Sequence, residues 1–97
     1  MDEMIEKTKD EILSQFENRD GKFVHKLKEP IQFGSETIEE FELQKPKAKH
    51  IRSMPQNPGM DSVLKIVGKL AAQPDKVIDE LSMEDVTILT EYFSAFS

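Results

Sequence analysis

The chain has 97 residues, with 13 basic and 19 acidic residues and a formal net charge of −6 at pH 7. It contains no cysteine, which excludes disulfides, thiolate metal sites and cysteine nucleophiles. The acidic balance disfavours nonspecific binding to nucleic acid, because phosphate contacts need a cationic surface. No apolar run approaches the roughly 20 residues of a membrane span.

The N-terminal segment has the character of a thin helix over residues 3–17. Its apolar positions near one face are Ile5, Ile12, Leu13 and Phe16. We interpret residues 1–20 as an N-terminal extension, helical or partly disordered. Gly21 is a plausible helix stop because glycine adopts the left-handed conformation after a last helical turn at little cost. The folded domain is therefore placed at residues 21–97.

Residues 22–43 alternate in hydrophobicity as a β-hairpin does. Gly34 and Ser35 supply the expected turn, and Pro30 is expected at an edge or a strand start because it cannot donate to a ladder. The step from Ile38 to Phe41 breaks the alternation, which predicts a bulge at 39–40. His25 is expected to be a satisfied, half-buried strand residue.

Helical spacing follows over residues 47–96. A short helix over 47–54 is expected to turn Ile51 inward, and a clean amphipathic helix over 60–72 to bury Met60 with the rest of its apolar face. A second short helix follows Pro74, and Ser82 is a good N-cap for a last helix over 83–96. The class is thus α+β: an N-terminal β-hairpin or small antiparallel sheet, then three or four helices, with an extra N-terminal helix as an option.

The last helix carries more apolar surface than one buried face requires, since a stripe of about 100° is enough for a surface helix. The surplus must pack against another element, another chain or a partner. The residues that we assign to partner binding are Ile88, Leu89, Tyr92, Phe93 and Phe96.

Residues 45–52 concentrate positive charge. A solvated helix face is the simplest interpretation, and the functional alternative is an electrostatic contact with an acidic partner or with the acidic ends of the chain. The residues assigned to this contact are Lys45, Lys47, Lys49 and Arg52.

The sequence offers no convincing active site or metal site. His25 and His50 are not spaced with carboxylates as a helical metal pair would be, and no glycine-rich phosphate loop is present. One segment, Gly59-Met-Asp-Ser-Val-Leu64, resembles the Gly-x-Asp-Ser-Leu segment of acyl carrier proteins, which would make Ser62 an attachment site. The simpler interpretation, which we favour, is that Asp61 and Ser62 lie in the first turn of a helix, where such residues are common.

The order of elements from Phe23 to Phe96 resembles the tail assembly chaperones of Mu-like contractile-tailed bacteriophages. The resemblance is carried by Leu27-Lys-Glu-Pro-Ile31, Gly34, Thr37-Ile38, Phe41-Glu-Leu43, Pro46, Pro74-Asp-Lys-Val-Ile-Asp-Glu-Leu81, Asp85-Val-Thr-Ile-Leu89, Phe93 and Phe96. It implies a noncatalytic protein of the host bacterial cytoplasm that binds the tape-measure protein and keeps it soluble, with no cofactor, nucleic acid, membrane or small-molecule substrate. Two alternatives stay open: a carrier protein modified at Ser62, and a small regulator that self-associates through its C-terminal helix.

Overall fold

The computed structural model describes residues 8–57 and 59–96, so Ile5 of the predicted N-terminal stripe lies outside the described residues. The elements in chain order are α1 (Lys9–Leu13), β1 (Glu17–Arg19), β2 (Lys22–Phe33), β3 (Glu36–Leu43), α2 (Ala48–Arg52), α3 (Met60–Ala71), α4 (Asp75–Ile78) and α5 (Met83–Ser94). The predicted α+β class is confirmed, with a three-stranded antiparallel sheet of order β1-β2-β3 followed by helices. None of the helices in these two ranges is long and apolar enough to cross a bilayer.

Strands β2 and β3 form the predicted hairpin. Phe33 pairs with Glu36 across a two-residue turn, as expected from the sequence. Gly34 has a φ of 64°, a left-handed conformation that glycine adopts without steric cost. The turn therefore fixes the register near the tip of the hairpin.

Strand β1 and the turn that follows it were not predicted. Glu17 pairs with Val24 and Arg19 pairs with Lys22, across a turn in which Asp20 and Gly21 both have positive φ, 53° and 83°. An Asp-Gly pair with both residues left-handed is typical of a type I′ hairpin turn. The predicted helix over 3–17 is therefore too long, since α1 ends at Leu13 and the Gly21 turn closes a hairpin.

The β2–β3 ladder has an irregular stretch. It lies in β2, whereas the sequence predicted it in β3. Lys26 pairs with Glu40 and Ile31 pairs with Ile38, so four residues of β2, 27–30, face the single residue 39 of β3. The extra residues belong to β2, and the predicted bulge at 39–40 of β3 is wrong. Pro30 lies inside this irregular stretch, where a missing backbone donor breaks no ladder hydrogen bond.

A buried carboxylate joins the irregular stretch to α5. Asp85 is fully buried in the first turn of that helix. Its oxygens accept hydrogen bonds from the backbone N–H groups of Lys28 at 2.9 Å and Glu29 at 3.4 Å, from His25 Nε2 at 2.8 Å and from Ser82 Oγ at 2.9 Å. Ser82 Oγ in turn accepts from the Asp85 N–H, which confirms the predicted N-cap. These bonds give hydrogen-bond partners to the N–H groups of Lys28 and Glu29, which lie in the irregular stretch of β2.

The ionised form of Asp85 is the stable one. Burial disfavours the charge, but the hydrogen bonds from Lys28, His25 and Ser82 outweigh burial and hold the pKa of Asp85 below its usual value. An ionised carboxylate can only accept hydrogen bonds. His25 Nε2 therefore acts as the donor in this pair.

One core joins the sheet to the helices, with α5 packed against α3, β2 and α1. Short helix α4 buries Val77 and Ile78 as its spacing predicts. Two inward assignments were wrong, because Ile51 and Met60 are 46% and 54% exposed. In α2 the inward residue is His50 instead.

We predict that Asp85→Asn lowers the free energy of unfolding at pH 7 by about 2–4 kcal/mol, because an amide cannot accept from all four donors. The lowered pKa means that the unfolded chain takes up a proton first as the pH falls. The wild type should therefore lose the stability that Asp85 supplies below about pH 4, and the variant should lack this loss. Urea unfolding between pH 2 and pH 7 measures both effects.

Glu84→Gln is the matched control, because Glu84 is an exposed acid in the same helical turn. It should change stability by no more than about 0.5 kcal/mol. Equal acid sensitivity of wild type and Asp85→Asn would contradict the assignment.

Candidate functional site

The predicted partner-binding residues of α5 occupy two different environments. Leu89 and Tyr92 are 0% exposed and Phe93 is 6% exposed, so these three side chains pack inside the chain and present almost no accessible surface. Ile88 and Phe96 are half-buried and keep part of their surface accessible. The surplus apolar surface of α5 is thus mostly covered by other elements of the same chain.

Part of this covering surface comes from a cluster of four aromatic rings, with Tyr92 at its centre. The ring centroid of Tyr92 lies 5.1 Å from Phe16, 5.7 Å from Phe23 and 5.2 Å from Phe96. Phe23 also contacts Phe16 at 6.5 Å and Phe96 at 6.3 Å. These spacings lie within the range of favourable tilted and edge-to-face aromatic pairs. The cluster therefore joins α5 to β2 and to the segment that follows α1.

The hydroxyl group of Tyr92 ties α5 to the end of the sheet. It donates a hydrogen bond to the backbone oxygen of Gln44 at 3.0 Å, and the Gln44 N–H donates to the Leu70 oxygen of α3 at 3.1 Å. Burial raises the pKa of Tyr92 above its usual value. Tyr92 is therefore a structural residue at the junction of three elements.

Helix α1 covers the C-terminal end of α5. Its start has a capping box, in which the Glu11 N–H donates to Thr8 Oγ1 at 3.2 Å and the Thr8 N–H donates to Glu11 Oε1 at 2.8 Å. Lys9 Nζ lies 4.7 Å from the ring centroid of Phe96, within cation–π range. Ile12 is buried in the core behind it.

A groove lies between α5 and strand β2, next to the start of β1. Its volume is about 420 Å³, and Ile88 forms its wall on the α5 side. The other lining residues are Gln15, Glu17, Val24, His25, Lys26 and Lys28. Of the predicted partner-binding residues, Ile88 is thus the one that lines this groove.

The basic segment remains on the surface. Its four cationic residues are exposed and form no ion pair with other residues that the structure describes. They are Lys45, Lys47, Lys49 and Arg52. Nearby His50 is buried and accepts a hydrogen bond from the Lys47 N–H at 2.8 Å. Burial, together with the positive charges of Lys49 and Lys69, lowers the pKa of His50, which keeps it neutral at pH 7.

A cleft with a volume of about 620 Å³ includes Ser62 in its lining. Ser62 is the third residue of α3 and is half-buried, with Lys65 and Lys69 along the same wall. The sheet precedes α3 in the chain, whereas acyl carriers are all-helical. Within residues 8–57 and 59–96 no group of three or more His, Asp or Glu side chains is arranged to hold a metal ion.

Sequence reasoning missed the features that cover α5. Phe16 was assigned to an extension, although it packs against Tyr92 and is buried in the core. The Asp20-Gly21 pair was the available signal, because a type I′ turn would have placed residues 17–19 in a strand beside Val24. The exposed apolar side chains Phe33 and Met83 were not assigned to a surface either.

A comparison with protein families identifies what the chain is similar to. The family described as phage tail assembly chaperone proteins, E, or 41 or 14, matches residues 24–97. This match covers well over half of the chain, and the chain therefore belongs to that family. No curated protein and no solved structure matches the chain.

Tyr92 is the only tyrosine of the chain, and tryptophan is absent, so its titration can be followed directly. We predict that the phenolate absorbance of the folded protein appears only when alkaline pH unfolds it, because burial raises the pKa of Tyr92. In urea the same side chain should titrate near pH 10. A reversible transition near pH 10 in the folded protein, with unchanged circular dichroism, would contradict the burial of this face of α5.

Proposed function

We propose that this member of the phage tail assembly chaperone family binds the tape-measure protein and keeps it soluble while the tail is built in the host bacterial cytoplasm. The family match over residues 24–97 is the observation that carries the proposal. It indicates a binding role for the chain rather than catalysis. The tape measure is the finer assignment, and it rests on the physical argument that follows.

A tape-measure chain is long and helical, and its apolar stripes would associate with one another before the tail tube encloses them. Exposed apolar patches of that kind cause aggregation. A small partner of net charge −6 can cover such a stripe and add repulsion between the complexes that form. Helix-in-groove binding, in which an amphipathic helix lays its apolar face into a groove, is the mode that suits this client.

The groove beside Ile88 is the proposed starting point of the client surface. Ile88 and Phe96 lie at the margins of the buried face of α5 and remain half-buried. Leu89, Tyr92 and Phe93 support them from inside the core. Lys26 and Lys28 line the same groove, so acidic side chains that flank the apolar stripe of a client would be favoured there.

The basic segment is a second proposed contact. Lys45, Lys47, Lys49 and Arg52 are exposed, and neutral His50 adds no charge to them. Rim charges of this kind change the rate of association and its salt dependence more than they change affinity. We therefore assign these residues to steering of an acidic stretch of the client.

We predict that Ile88→Asp weakens binding of the tape-measure protein by about tenfold or more, because it places a charge in an apolar contact. The test is co-expression with tape-measure fragments, followed by pull-down and by measurement of the soluble fraction. Thr87→Asp is the matched control, since Thr87 is the exposed neighbour on the same helix. Both variants should keep the circular dichroism of the wild type.

Equal retention of the client by the two folded variants would contradict the groove assignment. If the wild-type protein retained no tape-measure fragment, the proposed client itself would be wrong. A phosphopantetheine mass on Ser62 would then favour the carrier protein, and sedimentation of the isolated chain as a dimer that Ile88→Asp dissociates would favour the self-associating regulator.

A further inference from the structure

The segment that covers the aromatic face of α5 lies outside the part of the chain that matches the family. The match begins at residue 24, whereas α1, Phe16 and β1 all precede it. Phe16 nevertheless lies 5.1 Å from Tyr92, and Lys9 lies 4.7 Å from Phe96. Residues that precede the matched region thus occupy a face of the matched domain.

The attachment of this segment is small. Helix α1 has five residues, and helices shorter than about 12 residues are marginal without packing. Residues 8–11 are exposed, and the buried anchors of the segment are Ile12 and Phe16. Among the described residues, the contacts of this segment thus include these two buried side chains, the partly buried Leu13 and the Lys9–Phe96 contact.

Strand β1 is held separately from α1. Arg19 forms ion pairs with Glu40 at 2.7 Å and Glu17 at 3.2 Å, and so joins β1 to β3. Three backbone pairs connect β1 to β2. Residues 8–16 can consequently leave α5 while residues 17–19 stay in the sheet.

We propose that residues 8–16 are a displaceable plug on a helix-docking face of α5, and that a helical segment of the client replaces them. The inference rests on the proposed function for the identity of the client. The docking face consists of Tyr92 and Phe96 of α5 together with Phe23 of β2. Removal of the plug joins this face to the margin of α5 at Ile88.

The residue types of the plug indicate which client sequence would fit the docking face. It presents a cation at Lys9, an aliphatic side chain three positions later at Ile12 and an aromatic side chain four positions after that at Phe16. These positions share one side of a helix, and the helical turns continue to Phe16 through the hydrogen bond from its N–H to the Leu13 oxygen. The matching client segment has Lys or Arg at position i and apolar residues at i+3 and i+7.

The first experiment uses the full chain alone and the fluorescence of its single tyrosine. Ile12→Ser should loosen the plug and raise the quenching of Tyr92 by acrylamide, whereas Asp10→Ser, at an exposed position of the same segment, should not. Lys9→Glu is a milder variant that leaves the core intact and should give an intermediate increase. Unchanged quenching in both Ile12→Ser and Lys9→Glu would overturn the proposal that residues 8–16 are a displaceable plug.

The second experiment measures affinity for a tape-measure fragment that the wild type retains. If the plug competes with the client, Ile12→Ser should bind more tightly, by roughly tenfold, because a larger fraction of the protein is competent to bind. Asp10→Ser should bind as the wild type does, because Asp10 is exposed and does not line the groove beside Ile88. Weaker or unchanged binding by Ile12→Ser, in a protein whose Tyr92 has become accessible, would show that α1 is a structural element and would overturn the proposal.

A third experiment tests the plug without relying on the identity of the client. A synthetic peptide of residues 8–18 should restore the protection of Tyr92 when it is added to Ile12→Ser, and a peptide with Lys9→Glu should do so less well. Restoration without any tape-measure binding would retain the docking face and reject the proposed client. Failure of the wild-type peptide at millimolar concentration would reject the docking face itself.

Discussion

The carboxylate of Asp85 is the interaction on which the arrangement of this fold depends. It lies in the first turn of α5 and accepts hydrogen bonds from a strand that is 56 or more residues away in the chain. A buried charge is tolerated only when its hydrogen bonds are satisfied, so α5 has a single position against β2. The aromatic cluster, the Tyr92–Gln44 bond and the groove beside Ile88 all follow from that position.

The sequence was enough to predict those elements whose turn, cap or apolar spacing depends on neighbouring residues. Gly34 marked the hairpin turn, Ser82 marked the start of α5, and the spacing over 60–72 marked α3. Strand β1 was missed because three residues are too few to show alternation, and its only signal was Asp20-Gly21. The side of the ladder that carries the irregularity was predicted wrongly because the choice depends on Asp85, a partner distant in sequence.

The candidate site shows a different limit of sequence reasoning. A helical wheel gives the width of the apolar surface of α5, but it does not say which part another element covers. Phe16 and Phe23 cover the middle of the predicted surface and leave the margins at Ile88 and Phe96. Both contacts come from segments more than 65 residues earlier in the chain, so only the tertiary structure reveals them.

The irregular stretch of β2 also affects whether a strand of another chain can add to the sheet. Beyond β1, no other strand of residues 8–57 and 59–96 lies beside β2 on that side, and an open edge invites another strand to add to the sheet. Within this irregular stretch the N–H groups of Lys28 and Glu29 are bonded to Asp85, and Pro30 has no N–H. Three consecutive positions therefore offer no donor to an incoming strand. An added strand would therefore find fewer backbone partners along this stretch of β2.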